Sequence, residues 1–197
     1  MATATRVDAV LPERRWRAAG RTPAGQTTLA RLFRTGRFPS SPPSGLARGT
    51  FLTMTVEPTV DRAVDALTSL AMPWLGKAFD PAAGRGENVF APGPAWYAAA
   101  LLRLVPRLGW PIRRDETGRL RGFPFVTERG LGLADPETEV LRIVYDHPSA
   151  PNPFPVRRVL DEVVEVEPGL LLGKAHLRWP GDRSRQVAYF ALRLDPS

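Results

Sequence analysis

The stretch EVLRIVYDHPSAPNPFPVRRVLDEVVEVEPGLLLGKAHLRWPGDRSRQVAYFALRL, residues 139–194, decides the fold. It contains four strand-like runs, roughly Glu139–Asp146, Arg157–Val166, Leu170–Trp179 and Arg185–Leu194. They are separated by the Pro-rich HPSAPNPFP and by the turns Glu167-Pro168-Gly169 and Pro180-Gly181-Asp182-Arg183. Turns this short return the chain beside itself, so successive runs must be antiparallel neighbours. Further upstream, Leu120–Thr127 and Gly130–Leu133 read as a hairpin turning near Glu128-Arg129-Gly130, and shorter strand patterns occupy 48–56 and 87–91. Seven or eight such strands suit a closed or strongly curved sheet, because closure removes exposed edges. The expected fold is therefore mainly β (α+β): a strongly curved antiparallel sheet or a lipocalin-like β-barrel, with two or three helices as lid or plug.

Three segments carry helical spacing. Thr27 or Thr28 can cap a helix presenting Leu29, Leu32 and Phe33, ended by Gly36 and Pro39. Residues 58–71 place Val60, Val64, Leu67 and Leu70 on one face, and residues 94–104 carry Trp96, Tyr97, Leu101 and Leu104. Residues 1–25 are polar, Arg-rich and broken by Pro12, Pro23 and Gly25, which reads as a flexible basic N-terminal arm. Residues 26–197 then form a single barrel-like domain, within the usual domain size.

Composition narrows the function classes. The chain has 27 basic and 20 acidic residues, a formal charge of +7, and no cysteine. Disulfides, thiolate catalysis and Cys-based metal sites are excluded. The arginines are dispersed and often stand beside Asp or Glu, without the aromatic interleaving that a single-strand platform requires, which argues against nucleic acid. No segment approaches the run of about 20 apolar residues needed to span a bilayer, and the N-terminus lacks a signal-peptide pattern, so a cytoplasmic setting is expected. Two histidines nearly thirty positions apart make a poor metal set, and no Gly-rich phosphate loop is present; no metal or cofactor is expected.

Only two lysines occur, each in the word Leu-Gly-Lys-Ala: Lys77 in PWLGKAFD and Lys174 in LLGKAHLRW. Alternation puts Leu171, Gly173, Ala175, Leu177 and Trp179 on one face of their strand and Lys174, His176 and Arg178 on the other. That basic face reads either as solvated or as the polar wall of a cavity. On residues 157–166, Glu162 shares a face with Leu160, Val164 and Val166, which would raise its proton affinity unless a cation met it; Asp161 is then expected outside. The alternative for Glu162 is a structural ion pair with an arginine or Lys174. Asp146 and His147, at a strand end, add an acid–imidazole neighbourhood.

The segment Trp74-Leu75-Gly76-Lys77-Ala78-Phe79-Asp80 resembles the W-x-G-K-x-F element of the GXWXG-motif family, small bacterial proteins with a β-rich C-terminal domain. Tyr145-Asp146, Pro148, Pro155-Val156-Arg157, Asp161-Glu162, Leu172-Gly173 and Tyr189-Phe190-Ala191-Leu192 fall in similar order. The chain departs from the pattern at Gly45-Leu46-Ala47-Arg48-Gly49, where Ala47 replaces the motif tryptophan. The resemblance implies a lipocalin-like barrel suited to a hydrophobic ligand. The expected function is binding of a hydrophobic, possibly acidic, small molecule by Trp74, Phe79, Tyr97, Tyr145 and Tyr189, with Lys77 or Lys174 meeting a carboxylate or carbonyl. The alternative is a cofactor-independent cyclase, isomerase or hydrolase of secondary metabolism using Glu162, Asp146, His147 or Asp80 as acid or base.

Overall fold

The computed structural model describes residues 12–55, 74–92, 112–181 and 183–194. Nine strands are present among them: β1 (Gly45–Met54), β2 (Trp74–Asp80), β3 (Arg85–Phe90), β4 (Ile112–Arg114), β5 (Leu120–Leu131), β6 (Glu139–Val144), β7 (Val159–Glu167), β8 (Leu170–Trp179) and β9 (Arg183–Leu194). The sheet runs β3-β2-β1-β9-β8-β7-β6-β5-β4, and a further β3–β5 pairing closes it. Eight strands thus make an antiparallel barrel, with β4 as an extra strand on β5. Closure leaves no edge on those eight strands, which is why so many short alternating runs form one stable body.

Alternation sorts the side chains into two cores. Ala47, Phe79, Phe90, Phe125, Ile143, Val163, Leu171 and Phe190 fill the barrel interior. Val140, Val164, Leu170, Leu172, Tyr189 and Ala191 point outward and are covered by Leu29 and Phe33 of helix α2 (Pro23–Thr35). A helix laid on the outside explains why β7 and β8 are apolar on both faces. Helix α2 begins earlier than its spacing implied: Thr22, not Thr27 or Thr28, is the N-cap, its hydroxyl accepting from Gly25 N at 3.1 Å, with Pro23 at the first helical position.

Residues 12–19 of the expected N-terminal arm are helical and docked. Helix α1 (Pro12–Ala19) precedes α2, and Glu13 is buried against Arg193 at 2.6 Å, which ties this segment to β9. The expected hairpin turn at 128–130 is also corrected. Strand β5 runs unbroken through it, because Gly130 is where the Arg142 guanidinium crosses the strand: a Cβ there would stand 2.6 Å from its Nε. The chain reverses instead at 132–138. The helices expected at 58–71 and 94–104 lie outside the described residues. No described helix is long and apolar enough to cross a membrane.

Candidate functional site

Two backbone irregularities shape the inner wall. The β2–β3 register shifts between Trp74 and Gly76, and Gly76 has φ +137°. A Cβ on Gly76 would stand 1.9 Å from the Ala47 carbonyl oxygen, so only glycine permits this approach of β1 to β2. The extra residue resets the alternation, and both Trp74 and Lys77 turn inward. Opposite, the β3–β5 register shifts at Phe123 of β5, whose backbone is held at φ 52°. Its carbonyl oxygen accepts a hydrogen bond from Asn88 Nδ2 at 3.3 Å. Left-handed backbone at a phenylalanine costs energy that its surroundings must offset.

Between these bulges stands a polar quartet: Lys77, Asn88, Tyr145 and Asp161. Lys77 Nζ lies 2.8 Å from Asp161 Oδ2, donates to Asn88 Oδ1 at 3.0 Å, and donates to the Tyr145 hydroxyl. Tyr145 donates to the same Asp161 oxygen at 3.1 Å and accepts from Asn88 Nδ2 at 2.9 Å. Trp74 Nε1 completes the set by donating to Asn88 Oδ1 at 3.2 Å. The ammonium thus has three acceptors for its three protons. It also lies 5.2–5.6 Å from the ring centroids of Trp74, Phe125, Tyr145 and Phe190, an aromatic box that favours the cation.

Burial governs the electrostatics. Lys77 is 2% exposed, and desolvation holds its pKa below that of an ordinary lysine, with the Asp161 carboxylate working against the drop. The Tyr145 phenol is pushed well above the usual tyrosine range, first by burial and then by the Asp161 charge. The phenol therefore remains a neutral donor throughout the physiological range.

The expected site residues divide between the two sides of the wall. Trp74, Lys77, Phe79 and Tyr145 share the barrel interior. Lys174 and Tyr189 do not join them: they lie on the outer face, where the Lys174 ammonium sits 4.2 Å from the Phe33 ring centroid and pairs with Asp135. The basic face of β8 is therefore not solvated as one reading had it. Lys174 and His176 are 2% and 1% exposed: Phe33 of α2 and Asp135 of the 132–138 loop meet Lys174, and Glu162 meets His176. Tyr97 lies outside the described residues.

Glu162 and Asp161 exchange the roles expected of them. Asp161 faces inward, and Glu162, fully buried, faces outward beneath the 132–138 loop, accepting from Leu133 N at 2.7 Å and standing 3.1 Å from His176 Nε2. The Glu162 and His176 atoms are at ion-pair distance without hydrogen-bond alignment, and neither Oε2 nor Nε2 has another hydrogen-bond partner among the described residues. Both faces of β7 are apolar, so alternation alone could not say which carboxylate entered the barrel. Asp146 and His147 are exposed; among the described residues the Asp146 carboxylate reaches only Arg178 at 3.9 Å, and His147 Nδ1 meets Ser149 at 2.8 Å in a local turn. Asp80 is likewise a turn residue, accepting from Ala83 N at 3.2 Å. None of the four expected acids and bases reaches the inner wall. Asn88 falls inside the strand pattern at 87–91 but carries no titratable group to mark it; the sign available is its alternation with Phe90.

No family model matches the chain, and no curated protein matches it. A crystal structure of a protein from Thermomonospora curvata shares the fold, with a TM-score of 0.50 at 16% identity over 87% of this chain and 88% of that one. At that identity the likeness is one of architecture alone.

Proposed function

We propose that the barrel binds a small hydrophobic molecule in the manner of a lipocalin, with the ligand's polar group set against the Lys77–Asn88–Tyr145–Asp161 quartet. The carrying observation is a buried ion pair on the inner wall of an otherwise apolar barrel. Desolvating two charges costs several kcal/mol per ion, and apolar side chains of similar volume commonly stabilise a fold as well or better. Stability alone therefore gives no reason to place a lysine and an aspartate there. Ligand sites have this composition: apolar walls with a few convergent polar groups.

Access is supported by inward residues toward the Trp74 end, where Trp74, Met54, Ala175 and Trp179 keep partial exposure. The quartet also favours one ligand chemistry. Lys77 is already matched by Asp161, so a second anion would leave surplus negative charge in a low-dielectric interior. Among the described residues the hydrogen bonds to Asp161 run to Oδ2, which leaves Oδ1 to accept from a ligand hydroxyl or N–H. A neutral alcohol, phenol or amide fits better than the acid first considered. The segment that resembles the W-x-G-K-x-F element of the GXWXG-motif family is β2, and Ala47 stands opposite Lys77 in the register.

Calorimetric titration with 1-naphthol tests the proposal. Saturable binding should weaken about tenfold, the share of one hydrogen bond to a charged group, in the double variant Lys77→Met/Asp161→Asn. Equal affinity for wild type and variant, or no uptake by either, would remove the quartet from ligand binding.

A further inference from the structure

We infer that the opposite mouth of the barrel is a second, separate site that takes a small aromatic or short-chain carboxylate against Arg85. A cavity of about 230 Å³ lies there, between the β2–β3 turn, the middle of β5 and the 38–43 segment that crosses the barrel end. Phe79 and Leu141 form its floor; Phe38 and three prolines, Pro39, Pro42 and Pro43, form a wall. Prolines lack an N–H and hold their rings rigidly, so this wall is apolar and preformed. The volume falls below the 300–1,000 Å³ typical of drug-sized ligands, and so suits a single ring or a short chain.

This cavity is distinct from the quartet. Phe79 packs edge-on against Phe125 at 5.4 Å, and Phe125 against Tyr145 at 5.7 Å, so two rings separate the hollow from the Lys77 ammonium.

The charge at the rim is where an anion enters the argument. Arg129 is committed, forked onto Glu139 and stacked 4.6 Å over Phe38. Glu128 leans toward Arg142 at 3.9 Å, and Asp80 Oδ1 caps the Ala83 amide. Arg85 has a single ion pair among the described residues, to Asp80 at 4.0 Å, the outer limit of such a contact, and its side chain is 69% exposed. Its guanidinium retains donors in the planar fork that matches a carboxylate. An apolar hollow with such a group at its rim selects a molecule with an apolar body and an anionic end.

Amide ¹H–¹⁵N spectra of the full chain, titrated with sodium benzoate and separately with benzamide, decide the matter. The expected result is saturable shifts at Phe79, Thr127 and Leu141, with benzamide about tenfold weaker and the difference abolished in Arg85→Gln. Raising the salt concentration should weaken benzoate but not benzamide, because the contact is at the surface. Arg85 is exposed, so its glutamine variant keeps the fold; Phe38→Ala, which removes one wall, is a second variant expected to lower both affinities. The inference fails if benzamide binds as tightly as benzoate, if Arg85→Gln leaves the preference intact, or if the shifts gather at Trp74 and Lys77 instead.

Discussion

Replacing Lys77 by methionine should destabilise the protein severely, and replacing Asp161 by asparagine in the same chain should restore most of the loss. In the single variant Lys77→Met, Asp161 remains 5% exposed with the Tyr145 hydroxyl as its described partner. Stranding one member of a buried pair costs about 3–5 kcal/mol. Asp161→Asn alone strands the ammonium and should cost a similar amount. If the two effects were independent, the double variant would lose about 6–10 kcal/mol, enough to unfold most domains. Pairing predicts otherwise. With both charges gone, asparagine still accepts from Tyr145, and methionine fills the lysine stem's volume among the aromatic rings. What remains lost is the cation's attraction to four rings at 5.2–5.6 Å, about 1–2 kcal/mol in a desolvated site. The double variant should therefore lie within about 2 kcal/mol of wild type. Urea denaturation at pH 7, analysed by linear extrapolation for all four proteins, measures the coupling. A double variant as unstable as the sum of the singles, or a Lys77→Met cost under about 1 kcal/mol, would refute the reasoning.

Three further outcomes are expected. Gly76→Ala should cost about 3 kcal/mol or more, because the new methyl meets the Ala47 carbonyl at 1.9 Å and φ is +137°; thermal melts will show it, and a cost under about 1 kcal/mol contradicts the close approach of β1 and β2. Raised folded-state pKa values at Tyr145 and Tyr189 contribute stability that is complete below pH 10 and lost as pH rises through the folded values. Absorbance at 295 nm should accordingly show no more than one of the three tyrosines ionising near pH 10 while the fold persists; ionisation of two or three would show the buried phenols to be accessible. Asp146→Ala and His147→Ala should change stability by under about 0.5 kcal/mol and leave 1-naphthol binding intact, whereas a tenfold loss of affinity in either would return the acid–imidazole pair to the site.

Much of the architecture was legible because strand alternation and short turns are local signals. The four runs between residues 139 and 194 became β6 to β9, with boundaries moved by a few residues. What could not be read came from tertiary contacts. Gly130 looks like a turn residue, yet it sits inside β5 to let the Arg142 guanidinium cross. Lys174 and His176 look like a solvated stripe, yet Phe33 of α2, more than a hundred positions away, packs on Lys174, and His176 is buried beside Glu162. The site shows the same division. Lys77 and its aromatic neighbours stood out by their residue types, while Asn88 lies between bulges at Gly76 and Phe123 that no period-two pattern reveals, and Asp161 sits on a strand apolar on both faces.

The most direct test of the central claim is native mass spectrometry of the protein purified under mild conditions from its own host, with the Lys77→Met/Asp161→Asn variant purified alongside. The account predicts an added mass of a few hundred daltons on the wild-type protein, released on denaturation and absent from a variant that melts as a folded protein. An unliganded wild-type mass, or the same adduct retained by the variant, would contradict the claim that the buried quartet serves a bound molecule.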